Sequence, residues 1–242
     1  MHKKTQDRTS GSVVTNPLLD FRNRVIKAHI NNPKGAKILD IGFGMCSNLR
    51  NLKAMGFEVF GLDPDSEACE MAKKEFGNDS IYSGTLDNSK LEIADFDLIT
   101  LYDVIEHPLS PMTLMKNALS RLKKDGLLAI FTPNMPDIKS NKLVQFQIDL
   151  EHLQYLTPQT IAFIAKEFNL NIIHLECSGF PVIPDIHNNG IKLKKSIIHA
   201  AKGFVRNLPF FIRFNRIRHQ LFNSIPDNRL GNYNIFAILQ KQ

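Results

Sequence analysis

Apolar positions along this chain follow two alternating rhythms. Short unbroken runs, Ile38-Leu39 with Ile41 and Leu98-Ile99 with Leu101, have the length and content of strands buried on both faces. Between them apolar residues recur every three or four positions, as in Leu49, Leu52 and Met55, which marks one face of a helix. Taken in order, the pattern predicts a helix opening at Asn16-Pro17 and running through Phe21, Val25 and Ile30. A strand with Ala36, Ile38, Leu39 and Ile41 follows, then a helix closed by Gly56, then a strand from Glu58 to Leu62. Pro64 opens the next helix, with Ala68, Met71 and Phe76 inward and Gly77 as its stop. Ile81-Tyr82 is a short third strand and Asp97 to Tyr102 a fourth; a helix spans about 111–123, and Leu127 to Phe131 is a fifth strand. After a mixed stretch, Asn134 to Leu153, which is a candidate lid, Thr157-Pro158 starts a helix through Ile161, Ile164 and Phe168. Asn171 to Glu176 and Tyr233 to Leu239 complete the strands. Strand and helix alternating at this spacing predict an α/β fold, a parallel sheet with helices on both faces.

Residues 1–15 are polar and without periodicity, so they are expected to be disordered, with a single domain over 16–242. That N-terminus lacks the apolar stretch of a signal peptide, and no run reaches the ~18 apolar residues of a membrane span. Cys46, Cys69 and Cys177 have no metal-ligand spacing, and an odd number argues against a disulfide framework; reduced thiols and a cytoplasmic location are expected. The net charge of +6 is local. From Ile186 to Pro226 there is no Asp or Glu but eight Lys and Arg, so the rest of the chain is close to neutral.

The first strand carries the first candidate chemistry. It runs into Asp40-Ile41-Gly42-Phe43-Gly44-Met45-Cys46 and then the helical pattern. Strand, tight Gly turn and helix N-terminus let a ligand approach backbone N–H groups. Asp63 ends the second strand, where an acid can accept hydrogen bonds from ribose hydroxyls. A dinucleotide fingerprint would place a third Gly at position 47, where Ser47 stands. Asp40 would also be an awkward neighbour for a diphosphate, whereas an acid beside the turn suits a cation.

The run Asp-x-Gly-x-Gly resembles the first motif of class I S-adenosylmethionine-dependent methyltransferases, with Cys46 where that family usually has Gly. Phe96 to His107, Leu122 to Asn134 and Glu151-His152-Leu153-Gln154-Tyr155-Leu156-Thr157-Pro158 extend the resemblance over about residues 36–177. The subgroup it is similar to includes ubiquinone-biosynthesis O-methyltransferases and bacterial enzymes of cell-surface glycan clusters. The resemblance implies a Rossmann-like seven-stranded mixed sheet with the last strand antiparallel, and S-adenosyl-L-methionine as cofactor. It places Asp40, Gly42, Gly44 and Cys46 around the methionine part of the cofactor and Asp63, with Pro64, at the ribose. Thr85 and Leu86 fall at the adenine, and Tyr102 and Asp103 beside the reacting methyl. The acceptor it implies is a small molecule or lipid-linked intermediate, a quinone or glycan precursor, methylated on oxygen.

An oxygen nucleophile that keeps its proton needs a base. His107, with Glu106 beside it, is the nearest candidate, and His152 the second. Asp103-x-x-Glu106-His107 matches a divalent-metal motif of the quinone enzymes, yet three such groups on one turn equally form a metal-free rim, and no metal is expected. Two rivals stand beside this reading. A nucleic-acid (RNA) methyltransferase would suit the basic segment, but adenine-amino enzymes typically carry Asn/Asp-Pro-Pro-aromatic where this chain has Tyr102-Asp103-Val104-Ile105. A non-catalytic nucleotide-binding protein would need only the Gly turn. Within the basic helical insertion, about 186–226, Phe210, Phe214, Ile217 and Leu221 share a helical stripe apart from Arg213 and Arg216. An apolar face beside a cationic one suits an anionic membrane surface, so peripheral attachment through 191–225 is a further expectation.

Overall fold

The computed structural model describes residues 17–30, 32–135, 151–178 and 234–242. Its elements in chain order are α1 (Pro17–His29), β1 (Lys37–Ile41), α2 (Ser47–Ala54), β2 (Glu58–Asp63), α3 (Ser66–Phe76) and β3 (Ile81–Ser83). β4 (Phe96–Tyr102), α4 (Pro111–Ser120), β5 (Leu122–Pro133), α5 (Pro158–Glu167), β6 (Leu170–Ser178) and β7 (Asn234–Lys241) follow. The strands form one seven-stranded sheet in the order β3-β2-β1-β4-β5-β7-β6. β7 runs antiparallel to β5 and β6, and the other pairs are parallel, so the expected mixed sheet is what the chain forms.

Alternate side chains of the strands feed two cores, one on each face. One face packs Leu39, Ile41, Ile99 and Leu101 against Met115 and Leu119 of α4 and Ile161 and Ile164 of α5. The other packs Ile38, Leu98, Ala129 and Phe236 against Phe21 and Ile26 of α1, Leu49 and Leu52 of α2, and Cys69 of α3. Burial on both faces explains why these strands show apolar runs and no polar alternation. Each fully buried Leu, Ile or Phe contributes about 1.5–3 kcal/mol.

Several boundaries differ from the sequence reading, three of them at helix ends with a plain physical cause. Pro64 does not open α3: the helix starts at Ser66, and the Asp65 side chain caps it by accepting from the N–H groups of Glu67 and Ala68. A free carboxylate at the cap outcompetes Pro as the start signal. α4 ends at Ser120, short of residue 123, because Leu122 already pairs with Phe96 and β5 begins there. α5 ends at Glu167, with Phe168 as its cap residue. Residues 1–15, nearly all of the candidate lid and the basic insertion lie outside the described residues.

This topology sets the place of the site. β1 is flanked by β2 and β4, so successive connections leave it in opposite directions along the sheet. A crevice opens beyond the carboxyl ends of strands at such a switch point, and ligands settle there.

Candidate active site

The Gly turn after β1 is held by what its residues cannot do. Gly42 has φ 71°, and a Cβ there would stand 2.5 Å from Val104 Cγ2, so only Gly fits. Gly44 has φ 49°, and a Cβ there would meet nothing within 4 Å; the backbone faces open space. Cys46, at φ 61°, precedes α2 and is buried, and burial pushes its thiol up to about 11, which keeps it neutral. Asp63 closes the turn from β2. Its Oδ2 accepts from Gly44 N–H at 2.8 Å and its Oδ1 from Asp65 N–H at 2.9 Å. Each oxygen keeps lone-pair capacity for a further donor. Arg50 of α2 braces the same turn from outside: it donates to Glu75 of α3 through Nε and Nη2, and through Nη1 to Met45 O at 3.0 Å. Pro64 lies exposed between Asp63 and the cap Asp65.

Asp40 is only 2% exposed. Its Oδ1 accepts from Thr100 Oγ1 at 2.5 Å, while its Oδ2 has no partner. Burial raises its carboxyl to about 6, against the lowering effects of Thr100, Asn48 and the Arg22 charge. Thr85, after β3, is exposed, with its N–H donating to Asn88 Oδ1 at 2.7 Å. Leu86 is packed into the core beside Leu91 and Phe60.

Sequence reasoning passed over Arg22. This α1 residue lies 8% exposed with its guanidinium over the rings of Tyr102 (4.3 Å) and Phe131 (4.4 Å). Its Nε and Nη1 have no hydrogen-bond partner. Its charge opposes the rise that burial imposes on the carboxyls of both Asp40 and Asp103, so all three act on one another. A signal was readable: Arg22 stands next to Phe21 and four residues before Ile26, on the apolar face of its helix. Tyr102 carries an unpartnered buried hydroxyl, whose ionisation burial opposes.

Beyond β4, Asp103 adopts φ 55° and its N–H donates to Phe131 O at 2.8 Å. The turn then places Glu106 under the surface, 1% exposed, with both carboxylate oxygens unpartnered. Burial raises Glu106 to about 7. The segment after Glu151 docks on this turn: the N–H groups of Leu153 and Gln154 both donate to Glu106 O, at 2.9 and 3.0 Å. That pairing brings His107 and His152 together, with ring centroids 4.9 Å apart. His107 Nδ1 lies 3.0 Å from Glu151 O. A carbonyl oxygen only accepts, so Nδ1 carries the proton and Nε2 holds the lone pair. One ligand atom each from Glu106, His107 and His152 lies within 4.8 Å of the others, a nitrogen and oxygen set that suits a divalent ion. The structure thus groups His152, far off in sequence, with Glu106 and His107.

The sheet order, the acid-and-glycine turn after β1 and the acid after β2 together define a class I S-adenosylmethionine-dependent methyltransferase domain. The cofactor of that class is S-adenosyl-L-methionine, and the residues present fit it: an open backbone at Gly44, a free oxygen on Asp40 for a cation and free N–H groups on Arg22 for an anion. Residues 14–175 match the family described as a methyltransferase domain, and the chain belongs to that family. It is 31% identical over 121 residues to the mitochondrial ubiquinone biosynthesis O-methyltransferase of Schizosaccharomyces pombe, a match covering 47% of this chain and 43% of that one. To the ubiquinone biosynthesis O-methyltransferase of Haemophilus ducreyi it is 29% identical over 153 residues, 60% of this chain and 62% of that one. The chain therefore spans less than two thirds of the length of these relatives. A solved SAM-dependent methyltransferase from Archaeoglobus fulgidus shares the fold with a TM-score of 0.58 at 18% identity, over 93% of both chains. Among the described residues no helix is long and apolar enough to cross a membrane.

Proposed function

We propose that the chain transfers the methyl group of S-adenosyl-L-methionine to a hydroxyl oxygen of a small-molecule or lipid-linked acceptor, a phenolic quinone precursor or a glycan precursor. The observation that carries this reading is the His107 tautomer. Its Nδ1–H is engaged by the Glu151 carbonyl at 3.0 Å, which leaves Nε2 as a base beside the carboxyl end of β4. Bound cofactor supplies a methyl on a cationic sulfur. The residues of this chain would hold and orient it: Asp40 would face the cationic part, Arg22 would donate to the carboxylate, and Asp63 would accept from the ribose. Gly42, Gly44 and Cys46 would line the methionine part, Pro64 and Thr85 would flank the ribose and adenine, and the backbone at Leu86 would support the adenine edge. Tyr102 and Asp103 would border the reacting methyl. As the acceptor oxygen bonds the methyl carbon and the carbon–sulfur bond breaks, leaving a neutral thioether, His107 Nε2 would take the acceptor proton, and Glu106 and His152 would stabilise the imidazolium that results. Positioning alone can supply up to about 7–11 kcal/mol of the barrier.

The ubiquinone relatives support oxygen as the methylated atom. Supply of radiolabelled S-adenosylmethionine with phenolic, sugar and RNA acceptors tests the class: label in the phenol or sugar, lost in His107→Ala, supports it. Label in RNA alone would move the chain to the nucleic-acid reading. A second reading rests on the Glu106, His107 and His152 donor set: a divalent ion held there would acidify an acceptor hydroxyl, and it competes with the base role because the Glu151 carbonyl engages Nδ1 and leaves only Nε2. Full activity in excess EDTA removes it, and loss restored by Mg²⁺ adopts it. For the basic segment 191–225, outside the described residues, the proposal is reversible attachment to an anionic membrane, at about 1 kcal/mol per engaged Lys or Arg. Sedimentation with anionic but not neutral vesicles, abolished by Arg213→Glu with Arg216→Glu, checks it.

A further inference from the structure

Thr100 is an anomaly in its strand. β4 reads Phe-Asp-Leu-Ile-Thr-Leu-Tyr, and Thr100 lies at 0% exposure in the middle of it. A buried hydroxyl without a partner is destabilising, so an apolar residue would serve the sheet better. Register supplies the reason: Thr100 stands directly across from Asp40 on β1. Its hydroxyl donates to Asp40 Oδ1 at 2.5 Å, and Asn48, on the first turn of α2, donates its Nδ2–H to Thr100 Oγ1 at 3.5 Å. All three side chains are buried.

This chain of donors has one direction. Thr100 has a single proton, which goes to Asp40, so its oxygen must accept from Asn48. A neutral Asp40 could still accept from Thr100 through Oδ1 with its proton on the unpartnered Oδ2, but a charged carboxylate accepts roughly twice as strongly. The relay therefore favours the ionised carboxylate over the neutral acid. We infer that Thr100 and Asn48 are positioning residues that keep Asp40 charged in its buried place, and so set the pH below which the cationic part of the cofactor is no longer held. The inference rests on the cofactor reading above.

The other charges facing Asp40 are few. Arg22 from α1 lowers its carboxyl and Asp63 from β2 raises it. Cys46 before α2 and Tyr102 at the end of β4 also lie close enough to interact, and burial keeps both neutral. None of these donates a hydrogen bond to Asp40, so the relay is the contribution that a single substitution removes.

The test is calorimetric titration of S-adenosylmethionine into the full chain between pH 5 and 8.5, without acceptor. In the wild type, affinity falls as pH drops through about 6, the value to which burial raises Asp40. Thr100→Val keeps the side-chain shape and removes the donor. Its midpoint moves up by about one to two pH units, the worth of a hydrogen bond to a charged group. At pH 6.5 its affinity drops by about tenfold, while at pH 8.5 it stays within about threefold of the wild type. Thr100→Ser restores the wild-type profile. Asn48→Ala moves the midpoint the same way by less, and serves if the Val variant fails to fold, with circular dichroism as the check. A midpoint unchanged in folded Thr100→Val or Asn48→Ala overturns the inference. So does a loss of affinity equal at every pH, the mark of a merely structural role. Wild-type protein that binds no S-adenosylmethionine at any pH would instead overturn the cofactor reading on which the inference stands.

Discussion

At the scale of single residues, the site is organised by groups whose hydrogen-bonding capacity the fold leaves unspent. Arg22 is held over two aromatic rings with Nε and Nη1 free, a costly arrangement for a buried charge unless a ligand anion completes it. Arg22→Met should weaken S-adenosylhomocysteine binding by about 1.5–3 kcal/mol in calorimetry, while thermal stability holds or rises, because an unpaired buried charge is removed. Unchanged affinity would assign Arg22 to packing alone. Asp63→Ala should cost a similar amount of affinity, and here stability should fall too, since Gly44 N–H and Asp65 N–H both lose their acceptor. For His107, the carbonyl-fixed tautomer predicts that His107→Ala lowers turnover by about 10²–10⁴ and leaves cofactor affinity nearly intact. Near-normal turnover would transfer the base role to His152.

At the scale of elements, two contacts tie the cofactor turn to its surroundings. The Arg50 bridge joins α2, α3 and the Met45 carbonyl, with side chains roughly a third exposed. As a surface ion pair it contributes about 0.2–1 kcal/mol, so Arg50→Ala should barely change the melting temperature. Its second contact, to Met45 O, predicts a larger effect on cofactor affinity than on stability, and Arg50→Lys should not rescue it, since an ammonium cannot form the fork and reach the carbonyl together. Equal effects on stability and affinity would count against that. The Asp65 cap should behave oppositely: Asp65→Ala removes about 0.5–2 kcal/mol of stability, read by thermal unfolding, through α3. The docking of residues 153 and 154 on Glu106 O is the element-level event that assembles the histidine pair.

At the scale of the whole molecule, pH should act on stability and on binding in opposite senses. Asp40 is raised from 3.8 to about 6 and Glu106 from 4.5 to about 7, each by burial. The native state therefore holds more protons than the unfolded state between about pH 4 and 7, so the unliganded protein loses stability as pH rises through that window. The two groups together shift stability by several kcal/mol, at about 1.36 kcal/mol per unit each. Thermal unfolding without cofactor should show a higher midpoint near pH 5 than near pH 8. Saturating cofactor should flatten that slope, because a bound cation favours ionised Asp40. A rising midpoint from pH 5 to 8 without cofactor would refute the assignment of these shifts.

Patterning along the chain was enough for the strands, the helical layers on both faces and the Gly turn, while the antiparallel β7 came only with the family resemblance. Strands, layers and turn depend on local rules: apolar runs where strands are covered twice, three-to-four spacing where a helix covers them, and Asp40-Ile41-Gly42-Phe43-Gly44 where only Gly fits. The sequence also indicated His107 and His152, but not that they meet. The tertiary structure decided what depends on register and docking. Asp40 meets Thr100 because β1 and β4 pair in one register, and Arg22 meets Tyr102 and Phe131 because α1 packs on the sheet face that carries Phe131 and Phe236. Glu106 stands in the sequence as a candidate beside His107, but its depth does not show there; the structure buries it and pushes its carboxyl to about 7. Patterns along a chain report which residues seek the interior, whereas proton affinity and partnership are set by neighbours that arrive from elsewhere in the chain.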